Sequence, residues 1–179
     1  MATTHAPIHP EASVSSGAWE LDRTHSRLAF AVNSAWGLST VYGHFKAFNG
    51  ALTVSPDGVS GVLEIDAASL ETGNDSRDEH LRTADFFSSE QHPLITFSVH
   101  EISHRAGGVT IAGDLVVRRT TVPLRLAVDV DVAEDGSLLL HTSTRLPRDQ
   151  VGMTWNKLGI IRGDALLSAD VHLVRALSS

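Results

Sequence analysis

Apolar and polar positions alternate through most of the chain, and that alternation predicts short β-strands. The cleanest run sets Leu124, Leu126, Val128, Val130 and Val132 against Arg125, Ala127, Asp129 and Asp131, the period of two that sends successive side chains to opposite faces. Ile95, Phe97 and Val99 alternate with Thr96, Ser98 and His100, and Val109, Ile111, Leu115 and Val117 with Thr110, Ala112, Asp114 and Val116. Ala165, Leu167, Ala169, Val171 and Leu173 share one face of a final strand, and Leu63 and Ile65 point inward from an earlier one. Residues 19–22 form a short strand and residues 23–26 a turn. Residues 27–36 are apolar on both faces, as expected of a strand with a core or cavity on one side and a covering element on the other. Residues 41–48 resume the pattern, and Asn49-Gly50 reads as a hairpin turn into residues 51–54. Further turns fall at Pro56-Asp57-Gly58, Arg105-Ala106-Gly107-Gly108 and Asp135-Gly136, Pro147 ends a strand over 138–146, and Arg162-Gly163-Asp164 reads as the turn before the last strand. About eight short strands joined mostly by hairpin signals predict an all-β antiparallel sandwich or barrel. A closed eight-stranded barrel is wide enough for one small ligand, although periodicity alone does not distinguish a filled barrel from a hollow one.

One stretch breaks the pattern. Arg77 through Phe87 reads as a short helix with its exit, lying between the turn and cap residues 69–76 and the strand opened by Pro93-Leu94-Ile95. Ser76 and Glu79 have capping-box spacing, which predicts a helix of two or three turns beginning near Arg77. A helix this short is marginal alone, so Leu81 and Ala84 are expected to lie on apolar strands. Arg77, Asp78 and His80 are then either a solvated face with a local ion pair, or the residues that pin the cover to the barrel and shape an entrance.

Composition narrows the function classes. The 179 residues include no cysteine, which excludes disulfides, thiolate-held zinc, iron–sulfur clusters and thioether-attached haem. A formal net charge of −7 argues against a nucleic-acid partner, which usually calls for a basic stripe. Residues 1–18 lack the basic start and apolar run of a secretory signal and read as a flexible tail ahead of a domain over 19–176. No apolar run approaches the ~20 residues of a membrane-spanning helix. The expected location is the cytoplasm.

The order and spacing of several short motifs resemble one family. Thr72-Gly73-Asn74, Arg77-Asp78-x-His80-Leu81, Asp85-Phe86-Phe87, Pro93 and Phe97 are similar to the signature of the YceI-like, polyisoprenoid-binding, lipocalin-like barrels. Supporting matches are Asp22-x-x-His25-Ser26, the segment from Gly37 to Phe45, Gly113-Asp114-Leu115, the segment from Arg148 to Asn156, and Gly163-Asp164. The resemblance implies an eight-stranded antiparallel lipocalin-like barrel with a short covering helix, enclosing an apolar tunnel for an isoprenoid chain such as a quinone tail or a polyprenyl phosphate. It also points to a homodimer. The wall residues expected on this basis are Phe30, Val32, Trp36, Val41, Phe45, Phe48, Leu81, Phe86, Phe87, Ile95, Phe97 and Trp155, with Arg77 at the mouth to meet a polar head.

Chemistry beyond binding has little sequence support. His100 and His104 have a ligand spacing that suits a helix but lie in a strand and turn, and His25, His44, His80, His92, His141 and His172 are scattered, so no metal site is expected. No cofactor is expected apart from a bound isoprenoid lipid. Nucleophile-elbow, phosphate-loop and dinucleotide motifs are absent from the sequence. Two readings remain: a carrier of an apolar lipid, or a small enzyme that holds an apolar substrate while His80, Asp78 or Arg148 supplies acid–base help.

Overall fold

The last strand organises the molecule, because its two halves pair with different partners. The computed structural model describes residues 14–34, 38–153 and 162–177, with the side chain of Arg162 outside that description. In chain order the elements are β1 (Gly17–Leu21), β2 (Arg27–Ser34), β3 (Ser39–Phe45), β4 (Phe48–Ser55), β5 (Gly58–Asp66), β6 (Leu70–Glu71), α1 (Asp75–Arg82), β7 (Leu94–Arg105), β8 (Gly108–Val117), β9 (Thr120–Val132), β10 (Leu138–Leu146) and β11 (Arg162–Arg175). Strands β1, β4, β5, β7, β8, β9, β10 and β11 follow one another around a ring of eight, which closes where β1 pairs back onto β11. Leu166 to Asp170 of β11 run beside β2, and Leu173 to Arg175 run beside β1. The corner at residues 22–26 therefore joins two strands that follow one another along the same edge of β11, β1 ending opposite Leu173 and β2 starting opposite Asp170.

All of these pairings are antiparallel, as the alternation predicts. One departure from strict alternation is built in. A register shift in the β7–β8 pair between Val99 and Glu101 changes the inward phase, so Ile102, out of step with Val99 in sequence, also packs against the core. An inserted residue of this kind re-aims the side chains beyond it.

The interior is filled at one end and hollow at the other. Trp19, Val109 and Leu138 are almost wholly buried, with Leu52, Val128, Val130 and Leu173 around them. The indole N–H of Trp19 donates to the Ser15 carbonyl at 3.1 Å, and the Arg175 guanidinium sits 4.0 Å from the ring centroid. Val14 is buried in the same cluster, so residues 14–18 belong to the packed domain. The boundary expected at residue 18 falls inside β1; residues 1–13 of the expected tail lie outside the described residues.

Three local expectations are corrected. The helix cap is Asn74, whose side chain accepts from the Arg77 amide at 2.9 Å, so α1 begins at Asp75, ahead of the expected Ser76 box. Asn49 and Gly50 lie within β4, opposite Glu64 and Leu63; the turn is at residues 46–47, and β3 pairs with β2 and β6 instead of β4. Gly163 takes a positive φ of 78° inside β11, where the β11–β2 register shifts, so it forms a bulge within the strand and not a turn before it.

Candidate functional site

The hollow end holds a cavity of about 450 Å³, inside the size range of small-molecule sites. Inward positions of the strands supply its walls: Leu28, Phe30 and Val32 from β2, Val41 and Phe45 from β3, Leu63 and Ile65 from β5, Ile95 and Phe97 from β7, and Leu115 and Val117 from β8. Leu124 and Leu126 of β9, Leu146 of β10, and Ala165, Leu167 and Ala169 of β11 complete the ring, and Leu81, Phe86 and Phe87 come from α1 and its exit. The alanines of β11 leave space where larger side chains would fill it. Phe30, Phe45 and Phe87 cluster on one wall, with centroids 5.6 Å apart for Phe30–Phe45 and 5.9 Å for Phe45–Phe87.

Two of these rings need a glycine beside them. A β-carbon on Gly43 would come within 2.3 Å of the Phe30 ring, and one on Gly113 within 2.8 Å of the Phe97 ring. Gly43 lies directly opposite Phe30 in the β2–β3 pair, whereas Gly113 lies opposite Val99 in the β7–β8 pair and meets the Phe97 ring diagonally.

The cover is tied down by a polar network. Asp78 is buried and accepts from the Thr72 amide at 3.0 Å and from the Thr72 hydroxyl at 2.5 Å. Arg77 donates to the same hydroxyl oxygen at 2.7 Å and to the Thr72 carbonyl at 2.9 Å, while Arg82 reaches the carbonyls of Ala68 and Leu70. Arg77 and Asp78 therefore pin α1 to the loop that follows β6. Arg118, at the β8–β9 turn with φ 58°, donates to the carbonyls of Phe86 and Gly152, joining the helix exit to the turn Arg148–Val151.

Of the residues singled out in the sequence, Phe30, Val32, Val41, Phe45, Arg77, His80, Leu81, Phe86, Phe87, Ile95, Phe97 and Arg148 all border the cavity. Phe48 does not: it is buried in the core cluster, packed away from the cavity although its strand partner Ile65 lines it. Asp78 does not border it either, since both carboxylate oxygens are committed to Thr72. Trp36 and Trp155 lie outside the described residues. Sequence reading missed Leu115, Val117, Leu124, Leu126, Leu167 and Met153 as wall residues, although the alternation of β8, β9 and β11 had already placed most of them inward.

The polar side of the cavity is made by Arg77 and His80 from the cover, Arg148, and the hydroxyls of Ser34, Thr142, Thr144 and Ser168. His80 lies 3.3 Å from Asp85 and stacks edge-on against Phe86. Arg148 has its guanidinium pKa lowered by burial, partly offset by Asp149. This is a largely apolar chamber with two guanidiniums, an imidazole and a few hydroxyls among its lining groups.

A second polar cluster lies at the other end. Asp22 Oδ2 is 2.6 Å from His25 Nδ1 and 3.4 Å from His172 Nδ1, and His172 Nε2 is 2.8 Å from Ser137 Oγ. The order serine–histidine–aspartate imitates a hydrolase triad, but Ser137 is buried and its hydroxyl donates to Asp135 at 2.5 Å, so it is not poised as a nucleophile. The hydrogen bond from His25 is the largest of the effects that hold the Asp22 pKa at about 2, below its ordinary 3.8; desolvation opposes it, and the Thr24 amide and His172 add to it.

A closed antiparallel barrel with one half plugged, the other half an apolar chamber, and a short helix clamped over the strands defines a hollow, lipocalin-like β-barrel. The YceI-like domain model matches residues 19–177, and the chain belongs to the YceI-like family. A UPF0312 protein of Photorhabdus laumondii is 31% identical over 109 residues, covering 59% of this chain and 56% of that protein. The chain thus spans about half the length of the curated relatives it matches. The fold is shared with BcnA of Burkholderia cenocepacia (TM-score 0.75, 18% identity, 85% of this chain and 98% of that one). It is shared too with a polyisoprenoid binding domain of Saccharophagus degradans implicated in plant cell wall breakdown (TM-score 0.73, 14% identity, 88% and 98%). Among the described residues, no helix is long and apolar enough to cross a membrane.

Proposed function

We infer that the protein binds an isoprenoid-type lipid, a quinone tail or a polyprenyl phosphate, and shields its chain from water inside the barrel. The observation that carries this reading is the chamber of about 450 Å³, walled by apolar side chains from eight strands and the cover, with Arg77, His80 and Arg148 among its lining residues. Burial of a hydrocarbon chain there yields roughly 2.5 kcal/mol for every 100 Å² removed from water, enough to hold a lipid without any catalytic group. The guanidiniums of Arg77 and Arg148 supply the complement to a phosphate or to the polarised oxygens of a quinone ring. The kinship with a polyisoprenoid binding domain supports the same ligand class.

The test is native mass spectrometry of the purified protein followed by organic extraction. A co-purifying prenyl lipid released in about one equivalent fits a single barrel site. A protein that takes up neither a prenyl quinone nor a prenyl phosphate, when each is offered in detergent, overturns the reading.

A further inference from the structure

We propose that Asp22, His25 and His172 form a binding site for one divalent transition-metal ion of the zinc class, held through Asp22 Oδ2, His25 Nδ1 and His172 Nδ1. One ligand atom from each residue lies within 4.8 Å of the other two, and Asp22 Oδ2 is 2.6 Å from His25 Nδ1 and 3.4 Å from His172 Nδ1. The site is distinct from the lipid chamber, since none of the three residues borders the cavity. Along β11, His172 stands about 23 Å from Ala165 at the strand rise of ~3.3 Å per residue.

The hydrogen bonds around the cluster determine which atoms face each other. A carboxylate only accepts, so the Ser137 hydroxyl, 2.5 Å from Asp135 Oδ1, gives its hydrogen to Asp135. The hydroxyl oxygen then accepts from His172 Nε2–H at 2.8 Å. In a neutral His172 the lone pair is therefore on Nδ1, which faces Asp22 Oδ2 at 3.4 Å. In that tautomer Nδ1 and Asp22 Oδ2 both present lone pairs to the same space, which a shared cation would satisfy together. Two ligands on a tetrahedral zinc ion with bonds of about 2.0–2.1 Å stand roughly 3.3 Å apart, and the spacing seen is 3.4 Å.

Two of the three ligands are already held in place. The Thr24 amide donates to Asp22 Oδ1 at 2.9 Å, which leaves Oδ2 to the imidazoles. Ser137, backed by Asp135, orients His172 through its far nitrogen, as partners behind metal-bound histidines do. His25 is the movable member, with its side chain 69% exposed. It contacts Asp22 at 2.6 Å and needs only a small rotation to admit an ion, while its open flank leaves room for water as the fourth ligand. Imidazole with carboxylate selects zinc, copper or nickel over calcium or magnesium. An ion there would staple the β1–β2 corner to β11, so its effect would be on the barrel's stability.

The experiment titrates the chelator-treated chain with Zn²⁺ alone by calorimetry at about pH 7.5, with the release of protons on binding followed alongside. One tight equivalent is expected. His25→Ala should weaken it beyond the ~10–100-fold that loss of a second-layer partner costs, and Ser137→Ala should weaken it within that range. His100→Ala and His141→Ala, which alter isolated pairs with Asp114 and Asp170, should leave it unchanged. Zinc should also raise the unfolding temperature of the wild type and not of His25→Ala. Wild-type affinity in His25→Ala, equal losses in the His100 and His141 variants, or the absence of any tight equivalent would each overturn the proposal.

Discussion

The guanidinium of Arg118 donates to the carbonyl of Phe86 at 3.2 Å, joining a strand turn to the exit of the covering helix, 32 positions away in sequence. The same Nη1 also reaches the Gly152 carbonyl, so one side chain holds both segments that frame the open end of the barrel.

Arg118→Gly should therefore separate strain from clamping. Glycine relieves the left-handed backbone at position 118, a gain of roughly 1–2 kcal/mol, while the two carbonyl contacts are lost. Global stability in urea should change little, whereas amide exchange at residues 84–88 and 149–153 should quicken. Unaltered exchange in those segments would show that the clamp is idle.

Phe97 lies in the chamber wall against Gly113. Phe97→Arg should abolish lipid retention while the sheet signal in circular dichroism persists, because an unpaired charge in an apolar cavity is costly. Ala169→Phe offers an uncharged companion that fills the chamber. Retention at wild-type levels in both variants would exclude these walls from lipid contact.

Asp78 is buried and serves Thr72. Asp78→Ala should lower unfolding free energy by about 1.5–3 kcal/mol, the range for a hydrogen bond to a charged group. Urea midpoints measure this, and lipid exchange should accelerate with it. An unchanged midpoint would mean that α1 is held without this contact.

The corner aspartate makes a pH prediction of definite sign. His25, first among several contacts, lowers the Asp22 pKa to about 2 from an ordinary 3.8. Between those values the unfolded chain binds more protons, so the carboxylate's contribution to stability is complete above about 4 and is lost as pH falls towards 2. The difference in urea midpoint between wild type and Asp22→Asn should accordingly be present at pH 7 and shrink as pH approaches 2. A difference that stays constant or widens on acidification contradicts the assignment.

Gly43→Ala would bring a methyl group within 2.3 Å of the Phe30 ring. The ring must move, at a cost of about 1–3 kcal/mol in a packed wall. A melting temperature equal to wild type would mean that the aromatic cluster has more slack than its centroid distances imply.

Much of the barrel was legible because a period of two depends only on local order. Leu63, Ile65, Ile95, Phe97, Leu124 and Leu126 all face the chamber as their alternation requires. The bulge in β7 was not legible, since nothing in Val99-His100-Glu101 marks an extra residue; only the facing strand does. Asn49-Gly50 misled because a turn-forming pair carries no information about whether the neighbouring strand continues through it. The family motifs brought His80 and Arg148 to the cavity but not Phe48, which packs into the core cluster away from it. His25 and His172 looked scattered because 147 positions separate them, and only the pairing of β1 with β11 brings them to one carboxylate.

That closing strand also sets an order of events during synthesis. Because β11 alone bridges β10 to both β1 and β2, a nascent chain still lacking residues 162–175 presents an open sheet with its oily concave side uncovered. Contacts of such large sequence separation form slowly and leave the intermediate prone to association. Docking of β11 is thus the step that converts a sticky curved sheet into a closed ring of strands.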